Sequence, residues 1–366
     1  MKAGDRIKRF LFKGVRDGVY PGAVLLAGCK GEVVFFQAAG HSSLIPRTDQ
    51  MQKGTIFDLA SLTKPLATTL GIMRLIDQGS LDLDQTLADL LPGDVPAEKR
   101  AVTPRMCLCH SAGFVDWKAF YLELDNISPP RRKEVLRERI LNMPAAYPPG
   151  SGTLYSDLGF MVLEWILEER AGCLMDLYLD QAFYVPLLLK KTFLNNNHVK
   201  SRFHEDRFAA TEDCPWRKKI IRGTVHDENA YAMGGFSGHA GLFGTAEEVY
   251  ALVDLLRQHY YGKRSDYFKT ETVRTFFSRQ NISDESGRAL GWDTPSVESS
   301  SAGRYFSSNS FGHLGFTGTS VWMDLEKDVI VVFLTNRVHP TRKNEKIRLF
   351  RPQIHDVIME ELGEDK

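Results

Sequence analysis

Ser61 and Lys64 stand three residues apart in FDLASLTKPLATTL, residues 57–70, and that spacing sets a hydroxyl beside an amine. Residues three apart share a helix face, with about 5–6 Å between Cβ atoms. A serine hydroxyl is a poor nucleophile until something takes its proton. A lysine can take it if burial or neighbouring cations lower its pKa. Lys64 sits among Leu59, Leu62, Leu66 and Leu70, so the sequence predicts an amine whose pKa burial pushes down. Pro65 has no N–H and suits a first helical turn, which places the helix start at about Ser61. The positive end of that helix would favour an oxyanion beside Ser61. The same residues also fit a capping serine and a surface lysine, since S-x-x-K is frequent by chance.

Those side chains need elements to hold them. Residues 20–40 are two apolar runs around Lys30-Gly31, a β-hairpin pattern. Apolar residues at 62, 66, 70, 73 and 76 predict a helix over 62–78, with Gly79 as its cap. Helical patterns recur at 131–143 and 159–172, and again after Thr245, where Glu248 three residues on makes a capping box. Residues 319–337 read as strand, turn, strand, and a last helix is expected over 346–362. Strand patterns thus lie at both ends of the chain and helices between them. The expected class is α+β: one antiparallel sheet from both termini, flanked by helices, with a mainly helical inserted region. We expect a single catalytic domain over 1–366, with an α/β region of 1–60 plus about 285–366 and a mainly helical region of about 61–284.

The bulk composition narrows the function classes. Lys+Arg and Asp+Glu both number 46 in 366 residues, a balance that favours neither nucleic acid nor an anionic membrane as partner. The basic run at 131–133 is expected to be a solvated helix face. Five cysteines at 29, 107, 109, 173 and 214 form no disulfide framework, and the N-terminal segment has no apolar stretch of signal-peptide length. No run of about 18 apolar residues predicts a membrane span. The expected compartment is cytoplasmic, or periplasmic if a leader was removed.

Three segments then fall in one order: SLTK at 61–64, YSD at 155–157 and HLGFTG at 313–318. Around them stand CLCHSAGF at 107–114, YPPGSGTLYSDLGF at 147–160, GHAGLFGTAEEV at 238–249 and GFTGTSVWMD at 315–324. The ordered set resembles the serine β-lactamase and penicillin-binding-protein superfamily, in its class C-like branch of esterases and D-alanyl peptidase-like hydrolases. The resemblance runs from about residue 20 to 355. It implies a β-lactamase/transpeptidase-like fold and a serine hydrolase working through an acyl-enzyme on Ser61, with Lys64 in the proton network. Tyr155 is implied as the group that accepts the serine proton, directly or through Lys64. The backbone N–H groups of Ser61 and Phe316 are implied as the oxyanion hole. Asp157, His313 and Gly315 are implied to meet the substrate. No cofactor and no metal are implied, and the expected partner is a small-molecule or peptide acyl substrate.

The chain departs from the family pattern at two places. Asp157 replaces an asparagine, and it either caps the helix after it or pairs with Lys64, holding that lysine charged and moving the base role to Tyr155. His313 and Leu314 replace a lysine and a threonine, so a carboxylate would lose a fixed cation and a hydroxyl. An ester, amide or D-amino-acid peptide therefore fits better than efficient β-lactam hydrolysis. Gly315 leaves room for a substrate at the strand edge.

Two further segments carry polar side chains. Cys107, Cys109 and His110 invite a zinc reading, yet no second pair completes four ligands, and His110 fits a hydrogen-bonded turn before Gly113. His226, Asp227, Glu228 and Asn229 are either a loop bonded to its own backbone or a wall of the site. Glu228 is not expected to act as a deacylation base. The rivals to the hydrolase are a catalytically weak protein that binds or senses a peptidoglycan-type ligand, and a metallohydrolase.

Overall fold

The computed structural model describes residues 4–199, 201–280, 287–296 and 298–363. Lys30 and Gly31 both take left-handed backbone, φ 55° and 90°, and turn the chain between strands Gly22–Cys29 and Glu32–Ser43. That is the hairpin turn whose twist suits antiparallel strands. Near the other end, strands Ser310–Leu314, Ser320–Asp324 and Val329–Thr335 form a meander. The two ends join where Ala23 pairs with Thr335 and Cys29 with Val329. With the short strand Asp49–Gln50 at its margin, the result is a six-stranded antiparallel sheet built from both parts of the chain.

Alternation along the central strands buries both faces. Ala23, Leu25, Ala27, Val331 and Phe333 pack under helices Asp5–Arg16 and Ile347–Gly363. Val24, Leu26, Ile330, Val332 and Leu334 face the larger core, shared with helix Ala246–Tyr260 and the helices of the middle region. The α+β arrangement expected from the sequence is the one observed. Among the described residues, no helix is long and apolar enough to cross a membrane.

Three local details differ from expectation. The nucleophile segment does not begin as a plain α-helix at Ser61. A single 3₁₀ turn, Ala60–Leu62, leads into a wide π stretch, Lys64–Thr69, and only then into α-helix Leu70–Asp77. Pro65 cannot donate to the ladder, which favours the wider spacing. Thr245 does cap its helix, accepting from Glu248 N at 3.3 Å, but the Glu248 carboxylate turns away to Lys191 N at 2.9 Å and Thr192 Oγ1 at 2.8 Å. The capping box is therefore half formed. In helix Pro129–Asn142, Arg131 is solvated as expected, whereas Lys133 turns inward to Glu164 and Glu168.

Candidate active site

The chain bends sharply before Ser61. Ala60 has φ 47°, a left-handed conformation that costs a non-glycine residue about 1 kcal/mol. The buried Asp58 carboxylate offsets this cost, accepting from Ala60 N at 2.9 Å and His226 N at 2.6 Å. From the other side, Thr317 and Thr319 donate their hydroxyls to Asp58 O at 2.8 Å and Leu59 O at 3.0 Å. The third-motif turn is thus stapled to the nucleophile segment. Gly315 belongs to this staple. A Cβ there would lie 2.0 Å from Thr319 Oγ1 and 2.6 Å from Leu59 O. The protein's own close packing requires a glycine here, and the residue also borders the second cavity beside Ser61.

Lys64 is fully buried, and its ammonium donates to Ser61 Oγ at 3.0 Å and to Asp157 Oδ1 at 2.7 Å. It also sits 4.7 Å from the centre of the Tyr155 ring. Burial alone would push the Lys64 pKa down, as expected from the leucines around it, yet Asp157 and Tyr155 outweigh burial and hold it above its ordinary value. The lowered amine expected from the leucines alone is overturned, and the alternative in which Asp157 holds Lys64 charged is the one observed, with Tyr155 adding to it. Burial likewise raises the Tyr155 phenol, against the pull of Lys64.

Asp157 faces the site. The helix Asp157–Ala171 is capped instead by Ser156, whose hydroxyl accepts from Gly159 N at 3.4 Å. His110 supports this corner from behind. It has φ 59°, its Nδ1 accepts from Ser156 N at 3.0 Å, and its ring lies 4.5 Å from that of Tyr155. Burial holds His110 neutral, well below the usual histidine pKa. It is the hydrogen-bonded turn histidine expected, with the added effect of fixing Tyr155.

At the third motif His313 is 2% exposed and its Nδ1 lies 2.8 Å from Leu314 O. Burial pushes its pKa down to about 4, so it is neutral and supplies no fixed cation. Phe316 is 49% exposed, with its ring stacked on His226 at 5.6 Å and Arg337 at 4.6 Å. Its carbonyl accepts from Arg337 Nε at 2.9 Å, which fixes the turn carrying its N–H.

Two cavities of about 350 Å³ each meet at Ser61, Tyr155 and Phe316, which line both. The first is bounded by Asp116, Trp117, Asp157, the 226–228 segment and His239. The second is bounded by His313, Gly315, Arg337, Arg348 and Arg351. All seven site residues expected from the sequence therefore converge, with Lys64 behind the cavity floor.

The 226–229 segment combines both of its expected readings. Asp227 caps helix Glu228–Ala232 through Ala230 N at 2.8 Å, and it also pairs with His239 Nε2 at 3.0 Å. Glu228 bonds Arg342 at 2.6 Å instead of pointing at Ser61. His226 Nε2 meets Glu212 at 3.2 Å. Asp157, Asp227 and His239 offer ligand atoms within 4.8 Å of one another. The Lys64 ammonium, already on Asp157, opposes a second cation there. Cys107 and Cys109 are buried, and burial raises both thiols.

Sequence reasoning missed Asp58, Ala60, His239 and Arg351. The available signal for Asp58 was an acidic residue inside an apolar segment. His239 and Arg351 carried none, because their partners lie far away in the chain.

A family model described as Beta-lactamase matches residues 7–354. An N-acetylmuramyl-L-alanine amidase of Bacillus subtilis is 32% identical over 347 residues, covering 87% of this chain and 78% of that protein. A Salmonella typhi protein with a provisional D-alanyl-D-alanine carboxypeptidase name is 31% identical, covering 90% of this chain and 82% of its own. Among solved structures, the hydrolase EstCE1, described as having promiscuous acyltransferase activity, superposes with TM-score 0.76 at 23% identity, covering 98% of both chains. These likenesses place the chain in the beta-lactamase family.

Proposed function

We propose that this beta-lactamase-family chain is a serine hydrolase that forms an acyl-enzyme on Ser61, cleaving an amide or ester. The observation that carries the reading is the Lys64 ammonium held between Ser61 Oγ at 3.0 Å and Asp157 Oδ1 at 2.7 Å, with Tyr155 against it. The amidase and carboxypeptidase names of the relatives support an acyl group of the cell-wall peptide kind. Both structural regions contribute to the one site, so the chain acts as a single catalytic unit.

In this reading Ser61 Oγ attacks the acyl carbon and its proton passes to Tyr155. Lys64 stays charged and stabilises both oxygens as they gain negative charge. The backbone N–H groups of Ser61 and Phe316 receive the carbonyl oxygen, an interaction typically worth about 3–4 kcal/mol. The carbonyl-to-leaving-group bond breaks, and the leaving nitrogen or oxygen takes the proton from Tyr155. Water then attacks the acyl carbon and gives a proton to Tyr155; the bond from the acyl carbon to Ser61 Oγ breaks, and Tyr155 returns that proton to Ser61 Oγ, regenerating hydroxyl and phenolate. Since Lys64 is held charged, the proton acceptor is the Tyr155 phenolate, and activity rises toward alkaline pH.

Efficient β-lactam turnover is not expected, because His313 is neutral and Leu314 has no hydroxyl. Nitrocefin turnover comparable to ester or peptide turnover would overturn that part. The test of the whole is intact mass after a fluorophosphonate probe. We expect one adduct on the wild type and none on Ser61→Ala. An unlabelled wild type would sink the reading.

A further inference from the structure

The two backbone N–H groups read as the oxyanion hole lie on separate elements. Ser61 sits in the turn Ala60–Leu62, and Phe316 follows strand Ser310–Leu314. Such a hole works only when both donors are held within about 0.5 Å of the productive geometry. Thr317 and Thr319 staple the third-motif turn to Asp58 O and Leu59 O, but the half-exposed Phe316 ring lies outside that staple.

His226 meets the ring. It is 4% exposed, lines the first cavity and stacks on Phe316 with centroids 5.6 Å apart and planes 27° apart. That separation is in the favourable range for paired rings. The Arg337 guanidinium also reaches the Phe316 ring, at 4.6 Å.

His226 is itself anchored at two points. Its side chain meets Glu212 through Nε2 at 3.2 Å. Arg342 donates to the same carboxylate at 2.7 Å, and against burial these bonds from His226 and Arg342 hold Glu212 down at about 2. Glu212 is therefore an acceptor, and His226 Nε2 carries the proton. The second anchor is the backbone, where His226 N donates to Asp58 Oδ2 at 2.6 Å. The other oxygen of Asp58 accepts from Ala60 N at 2.9 Å, one residue before the nucleophile. One buried carboxylate thus ties the bend that presents Ser61 to the histidine that lies on Phe316.

We propose that His226 is a positioning residue for the oxyanion hole. Through Asp58 on one side and the Phe316 ring on the other, it sets the Phe316 N–H against the Ser61 N–H. The role is geometric, because the Nε2 proton is committed to Glu212. It rests on the Ser61 hydrolase reading and deepens it by naming what holds the second donor in place.

The test is the saturation kinetics of fluorophosphonate labelling. Ser61 Oγ bonds phosphorus, the P–F bond breaks, and the phosphonyl oxygen takes the place of the carbonyl oxygen in the hole. His226→Ala is expected to lower the limiting rate by about 10–100-fold and to leave the half-saturating probe concentration within about twofold. His226→Phe keeps a ring on Phe316 while Glu212 keeps Arg342, so its limiting rate should return to within about threefold of wild type. Phe316→Ala, at a half-exposed position, should lose about as much as His226→Ala, and the double variant should lose no more than either. An unchanged limiting rate in His226→Ala, a phenylalanine variant as slow as the alanine one, or additive losses in the double variant would each overturn the role. Where His226→Ala does not fold, Phe316→Ala decides alone, and a wild-type limiting rate there overturns the role equally. A wild type that fails to label overturns the hydrolase reading itself, whereas the other outcomes, on a wild type that labels, count against the positioning role only.

Discussion

Helix Asp157–Ala171 holds a buried ion cluster at each end, and the two are built from the same chemistry to opposite effect. At its start Asp157 holds Lys64, and the lysine's other bond ends on Ser61 Oγ, at the edge of empty volume. Two to three turns on, Lys133 Nζ meets Glu164 and Glu168, each at 2.5 Å, and Arg137 also bonds Glu168. Glu164 continues into Ser237 Oγ at 2.7 Å and Gly238 N at 2.9 Å, and Glu168 into Met175 N at 3.1 Å. This second cluster closes on backbone and on itself. A buried ion pair is thus reactive or structural according to what stands at its far end, a hydroxyl beside a cavity or a backbone amide.

Exchanging the lysines should separate the two roles. Lys64→Met is expected to cut the fluorophosphonate labelling rate by about 10²–10⁴-fold, with the melting temperature little changed, because Asp157 borders the cavity and can rehydrate. A loss of stability equal to the loss of rate would erase the distinction. Lys133→Met should do the reverse. It leaves Glu164 and Glu168 buried without their ammonium, which costs about 3–5 kcal/mol by chemical denaturation, while the folded fraction still labels.

Asp157→Asn sharpens the comparison by removing charge and keeping shape. Asp157 raises the pKa of both Lys64 and Tyr155, so its loss lowers both. The alkaline rise of the labelling rate should move to lower pH. A limb that stays in place or moves up would refute the assignment of Tyr155 as acceptor.

The smallest expected effect concerns His313. Its folded pKa, about 4, lies below the ordinary 6.5. The unfolded chain therefore binds a proton that the native state refuses as pH falls from about 6.5 toward 4. Stability should drop through that window by up to about 1.4 kcal/mol per pH unit from this group. His313→Gln should flatten the slope, as read from denaturation midpoints at pH 6.5 and 5.

Much of the frame was legible in the linear order of residues. The hairpin at Lys30-Gly31, the meander after 310 and the helical periods from 62 onward each express local chemistry: left-handed turn residues, alternation, and 3.6-residue spacing. The ordered motifs located Ser61, Lys64, Tyr155, Asp157, His313, Gly315 and Phe316 before any coordinate. Other features were not local. Whether Glu248 would close its capping box depended on backbone groups of residues 191 and 192. That the fold itself requires a glycine at 315 depended on Leu59 O, more than 250 residues earlier in the chain.

The sequence by itself determined which side chains could do acyl chemistry, and that strands from both ends would enclose helices, because residue type and periodicity act over short range. Tertiary structure alone decided the charge on Lys64. Burial among leucines and the field of Asp157, 93 residues away in the chain, act in opposite directions, and only a 2.7 Å contact made in space lets the carboxylate win. It alone decided, too, that the His226 ring would lie against Phe316, since residues so far apart in the chain meet only once everything that packs around them is in place.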